Sequence, residues 1–124
     1  MIEMFNINNY VIDTSNFDHA LHSSHVKNFE EKVCEFVGAK YACGVSSATN
    51  AIFLSLLNKS QAVKIPTIIP PVVINAVVNG GNKVEFIDDP FWVGDSYVLH
   101  QFDDYKIVDS AQKLEKNQFK KECN

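Results

Sequence analysis

The chain contains no arginine: all 11 of its basic residues are lysine. This removes the planar fork that grips carboxylates and phosphates through paired hydrogen bonds, so an anion must be held by amides, hydroxyls or lysines. Cysteine is scarce, and Cys34, Cys43 and Cys123 form an odd set without metal-ligand spacing. Read as free thiols, they point to a reducing compartment, and a cytoplasmic location is expected. No apolar run approaches bilayer-spanning length and the N-terminus lacks a basic signal-peptide start, so no membrane partner is expected. Nor is a nucleic-acid partner, because the net charge is −4. What is present, 124 residues with 46% hydrophobic and 21% charged, suffices for one folded domain with a modest core.

The stretch from His25 to Leu57 organises this domain. Val26, Phe29, Val33, Phe36 and Val37 recur at helical spacing and predict an amphipathic helix, with Gly38 as its left-handed stop. Tyr41 to Val45 is a short apolar run that predicts a strand buried on both faces. A polar turn, Ser46 to Asn50, then opens a second helix. Such a turn presents free amides to an anion, above all a phosphate. The residues alone favour the plainer role, Ser47 as a helix cap, because the glycines of a phosphate loop are missing.

Before this stretch the pattern is weak. Asp13, Thr14 and Ser15 offer a start for a short helix through Leu21. His19, His22 and His25 follow at steps of three, but no carboxylate or cysteine completes a metal set, and no metal is expected. After it come strands at Ala62–Pro66, Val84–Asp88, Ser96–Phe102 and Lys106–Ser110, and a helix over Val72–Asn79 with Pro71 at its first position. The lysine- and glutamate-rich end, Ala111 to Asn124, reads as a frayed helix. This order predicts an α/β fold, a single three-layer domain with a mostly parallel sheet, whose ligands sit outside the carboxyl ends of the strands. Ser46 to Asn50, Thr67 and Asp109 to Gln112 would fall there. The divisions expected are an N-terminal segment (1–24), the α/β core (25–113) and a charged tail (114–124).

The run VKNFEEKVCEFVGAKYACGVSSATNAIFLSLL resembles the opening of the pyridoxal-phosphate-dependent sugar aminotransferases of the DegT/DnrJ/EryC1/StrS family. The resemblance continues through Ile65-Pro66-Thr67, Asn75-Ala76-Val77 and Val84-Glu85-Phe86-Ile87-Asp88. It ends on Ile107-Val108-Asp109-Ser110-Ala111-Gln112, similar to the family's "DAAQ" run. It implies a minimal core of the fold-type-I aminotransferase large domain, with pyridoxal phosphate as the cofactor. Ser47, Ala48 and Thr49 would then flank the cofactor phosphate, Asp109 would pair with the ring nitrogen and Gln112 would border the ring. No catalytic residue is assigned.

Three departures accompany it. Ala48 stands where the family has glycine, and Pro70 where an aromatic covers the ring. The family's Schiff-base lysine lies well beyond the DAAQ-like run, and Lys113, Lys116, Lys120 and Lys121 read as a solvated face. The resemblance thus implies a truncated, catalytically incomplete protein that keeps a cofactor-like pocket. The alternatives are a nucleotide-sugar aminotransferase completed by a partner chain or an unusual lysine, and an interaction module with an empty pocket. The implied partners are a second copy of the chain and a small phosphorylated or nucleotide-sugar ligand.

Overall fold

A computed structural model describes residues 11, 13–15 and 23–120. The first helix, α1, spans Ser24–Val37. Ser23 caps it by accepting from the His25 N–H, and Gly38 ends it in the left-handed region at φ 73°. α2 spans Ala48–Leu56 behind the Ser47 cap, whose hydroxyl accepts from the Asn50 N–H at 3.2 Å. α3 spans Pro71–Asn79, with proline at the position where its missing N–H costs no hydrogen bond. The strands are β1 (Ala62–Pro66), β2 (Lys83–Ile87), β3 (Tyr97–Gln101) and β4 (Lys106–Asp109).

The core forms where α2, α3, β1 and β3 meet: Ile52, Leu56, Val63, Ile65, Val73, Ala76, Val77 and Leu99 are all buried in one cluster. β1 alternates, sending Val63 and Ile65 inward and Lys64 out. β1 and β2 pair in parallel across α3, with Val63 opposite Val84 and Ile65 opposite Phe86. Asn82 locks this unit. It is buried, its Nδ2 donates to the Leu56 carbonyl at 2.8 Å, and its Oδ1 accepts from the Gln61 N–H at 3.0 Å. One amide thus ties the end of α2 to the approaches of both strands.

The fold is mixed α/β, but the single mostly parallel sheet is not formed. The described residues form two two-stranded sheets, β1–β2 parallel and β3–β4 antiparallel. β3 and β4 pair antiparallel because the short connection between them, residues 102–105, permits only a hairpin, since a parallel pair needs a crossover of a dozen residues or more. An irregularity between Val98 and His100 turns Leu99 into the core beside β1.

The expected strand over Tyr41 to Val45 is also absent. Residues 40–47 run without regular structure, and Tyr41 is 78% exposed. An apolar run becomes a strand only when another backbone completes its ladder, and none does so among the described residues. Among the described residues α1 then covers no sheet, and only Val37 of its apolar stripe is buried, with Phe29 63% exposed.

The C-terminal segment departs from expectation in a compensating way. Residues 111–120 form turns, not a helix. The Asn117 and Phe119 N–H groups donate to the Phe36 and Val37 carbonyls, each at 2.8 Å. These are carbonyls that a helix end leaves without an intrahelical partner. Gln118 donates to the Ser110 hydroxyl at 2.9 Å, so the same segment joins α1 to the end of β4. The short helix expected after Asp13, together with His19 and His22, lies outside the described residues beyond Ser15. Among the described residues, no three potential metal ligands converge, and no helix is long and apolar enough to cross a membrane.

Candidate functional site

An open cavity of about 130 Å³ lies between the start of α2, the turn after β1 and the end of β4. Its apolar wall comes from Ile52, Ile69, Pro70, Val72 and Val73, and its polar groups from Thr49, Asp95, Tyr97, Asp109 and Gln112. Of the residues singled out in the sequence, Ala48, Thr49, Asp109 and Gln112 line it together. Ser47 does not line it and serves as the α2 cap. Thr67 is also outside it, its N–H bonded to the Ile87 carbonyl at 3.0 Å.

At the α2 end, the Ser47 hydroxyl and carbonyl take the N–H groups of Asn50 and Ala51. The amides of Ala48 and Thr49 remain outside the helical ladder, at the positive end of the helix dipole. With the Thr49 hydroxyl they are donors of the kind an anion accepts from. Ala48 adds a methyl group to the lining where glycine would leave space.

At the opposite end, Asp109 closes β4 and turns back on itself. Its Oδ1 accepts from the Ala111 N–H at 2.9 Å, and its Oδ2 from the Tyr97 hydroxyl at 3.1 Å. Burial first, then the Asp109 charge and the hydrogen bond to it, push the Tyr97 phenol well above its ordinary pKa, so Tyr97 is a neutral donor. Gln112 reaches across the mouth, and its Oε1 accepts from the Gly94 N–H.

The structure adds Trp92, Asp95 and Tyr97 to the lining, from a segment whose sequence reads as a loop and an ordinary strand. Trp92 is 7% exposed, packs on Tyr97 with ring centroids 5.0 Å apart, and carries the one buried side-chain polar atom without a hydrogen-bond partner among the described residues, its Nε1. A lone tryptophan in a chain of this size was the available signal. Asp95 is exposed, and the Ser96 N–H and then Lys113 hold its carboxyl below the usual range. Lys113 lies 3.2 Å from it, and that pairing raises the lysine's own pKa.

The donor set fits the two charged ends of pyridoxal phosphate. A carboxylate accommodates roughly four hydrogen bonds, so Asp109 keeps room for a protonated ring nitrogen. The Ala48 and Thr49 amides and the Thr49 hydroxyl suit a phosphate. At the aldehyde end the fit stops: among the described residues, no lysine lines the cavity.

Comparison with known proteins accounts for half of this geometry. The profile of the DegT/DnrJ/EryC1/StrS aminotransferase family matches residues 3–90, which carry the α2 end of the cavity but not Tyr97 or Asp109. Two UDP-4-amino-4,6-dideoxy-N-acetyl-beta-L-altrosamine transaminases of Campylobacter jejuni subsp. jejuni, from serotypes O:2 and O:23/36, are each 41% identical to it over 66 residues. The aligned stretch is 51% of this chain and 18% of each relative, so the match spans under a fifth of their length. No solved structure matches. On the family match across most of its length, the chain belongs to the DegT/DnrJ/EryC1/StrS aminotransferase family.

Proposed function

We propose that this chain supplies the phosphate and ring-nitrogen contacts of a pyridoxal-phosphate site related to that of the nucleotide-sugar aminotransferases, and binds the cofactor without a covalent bond. The observation that carries the reading is the meeting of the α2 N-terminus and Asp109 on one cavity. Thr49 and the Ala48 and Thr49 amides bind the phosphate. Asp109 keeps the ring nitrogen protonated, while Ile69, Pro70 and Trp92 exclude water from the ring faces. When bound, the cofactor supplies an electron sink for chemistry at an amine-bearing carbon. The relatives' substrate, a UDP-linked amino sugar, sets the substrate class.

The chain by itself does not transaminate, because the reaction needs a lysine amine at the cofactor. Lys113 pairs with Asp95 of the cavity lining at 3.2 Å, and that pairing favours its ammonium form. Fold-type-I large-domain architecture and assembly as a second-copy dimer belong to the same reading.

The test is titration with pyridoxal phosphate, followed by quenching of Trp92, the single tryptophan. Borohydride reduction and peptide mass analysis then search for an adduct. Saturable quenching without an adduct is the expected result. A stoichiometric adduct on Lys113 would overturn the non-covalent reading, and no quenching at all would overturn cofactor binding.

A further inference from the structure

We propose that Tyr97 is a positioning residue for this site: its hydroxyl fixes the Asp109 carboxylate in the orientation that receives the ring N–H of a bound pyridinium. The inference rests on the cofactor reading above and adds to it a residue outside the family-matched stretch, which ends at residue 90.

Tyr97 and Asp109 are direct partners in the β3–β4 register, so their side chains leave the hairpin on the same face. The phenol spans the pair and donates to Oδ2 at 3.1 Å, while the Ala111 N–H donates to Oδ1 at 2.9 Å. With one donor on each oxygen, the carboxylate cannot turn about its terminal bond without breaking one of them. Remove the phenol hydroxyl, and the Ala111 amide alone holds a group that is free to swing. Tyr97 is itself held, because its ring packs against the buried Trp92. All three residues line the one cavity. The phenol stays protonated through neutral and mildly alkaline pH, since burial and the Asp109 charge both oppose its ionisation.

The experiment compares the full chain's Kd for pyridoxal phosphate with its Kd for the analogue in which carbon replaces the ring nitrogen. The analogue keeps the phosphate and aldehyde but cannot use Asp109, so the ratio isolates that one contact. Wild type is expected to prefer the natural cofactor about tenfold, the scale of one hydrogen bond to a charged group. In Tyr97→Phe the ratio falls towards one while the analogue binds as before. A para-aminophenylalanine residue at position 97, which restores an N–H donor, restores the ratio. A simple packing role would not produce this rescue.

A Tyr97→Phe protein that keeps the wild-type ratio overturns the positioning role and leaves the cofactor reading intact. A wild type that binds both compounds equally overturns the Asp109 contact and the proposal together. A wild type that binds neither overturns the cofactor reading itself. Should Tyr97→Phe lose its fold, 3-fluorotyrosine at position 97 keeps the shape and strengthens the donor. The ring-nitrogen magnetic resonance of bound, labelled cofactor then shifts if Tyr97 acts through Asp109, and an unmoved resonance overturns the proposal.

Discussion

Replacing Asn82 with alanine should destabilise the chain. The side chain is buried and makes two well-formed hydrogen bonds, to the Leu56 carbonyl at 2.8 Å and from the Gln61 N–H at 3.0 Å. At about 0.5–1.5 kcal/mol net for each, their loss costs about 1–3 kcal/mol. The Leu56 carbonyl keeps a second donor, the Lys59 N–H at 3.3 Å, and Gln61 is exposed enough for water to replace its acceptor. The expected loss is therefore about 2 kcal/mol and not the larger cost of an orphaned buried group. For a domain whose whole stability is about 5–15 kcal/mol, that is readily measured. Urea unfolding followed by Trp92 fluorescence supplies the number, because the tryptophan is buried in the native cavity wall. Asn82→Asp sharpens the test. It keeps the acceptor for Gln61 but sets a carboxylate against the Leu56 and Val77 carbonyls, so it should be the worse of the two. Asn82→Ala within about 0.5 kcal/mol of wild type, or Asn82→Asp more stable than Asn82→Ala, would refute the claim that this amide staples α2 to the strands.

Four further outcomes follow from the same geometry. Gly38→Ala forces a side chain into φ 73° and places its Cβ 2.9 Å from the Lys120 Cβ, whereas Gly81→Ala at φ 82° meets open space. The first should cost about 1 kcal/mol more than the second in denaturant unfolding, and equal costs would remove the C-terminal segment from contact with α1. Inorganic phosphate should raise the Tm, and Thr49→Val should reduce the rise; a Tm indifferent to phosphate would leave Ser47 as the cap of an ordinary helix. The Tyr97 pKa is raised on folding, so its contribution to stability is complete below the unfolded value of about 10 and is lost as pH climbs past it. Tyr97→Phe should accordingly lose less stability than wild type between neutral and strongly alkaline pH, and parallel curves would contradict the shift. Finally, Phe29 and Phe36 stand exposed on α1, and sedimentation should reveal a dimer that Phe29→Glu weakens; a wild-type monomer at high micromolar concentration would exclude it.

Local chemistry determined much of this protein before any tertiary contact formed. Ser47 caps α2, Gly38 ends α1 in a left-handed turn and Pro71 opens α3, because each signal is complete within a few residues. The family-like run ending in Gln112 likewise marked Asp109 as a site residue, and the structure places it on the same cavity as Ala48 and Thr49. What the sequence could not decide is which segments find partners. Tyr41 to Val45 has the composition of a buried strand, yet among the described residues no neighbouring backbone completes its ladder, and most of the apolar stripe of α1 stays exposed with it. The hairpin of β3 and β4 sets Tyr97 opposite Asp109, twelve residues apart, and brings Trp92 against Tyr97. Asn82 reads as one more turn asparagine until α2 and β1 close around it. A cap or a glycine stop acts on its own turn of chain. A strand, a carboxylate partner or a buried amide is defined by what lies across from it, and that is fixed only when distant segments pack.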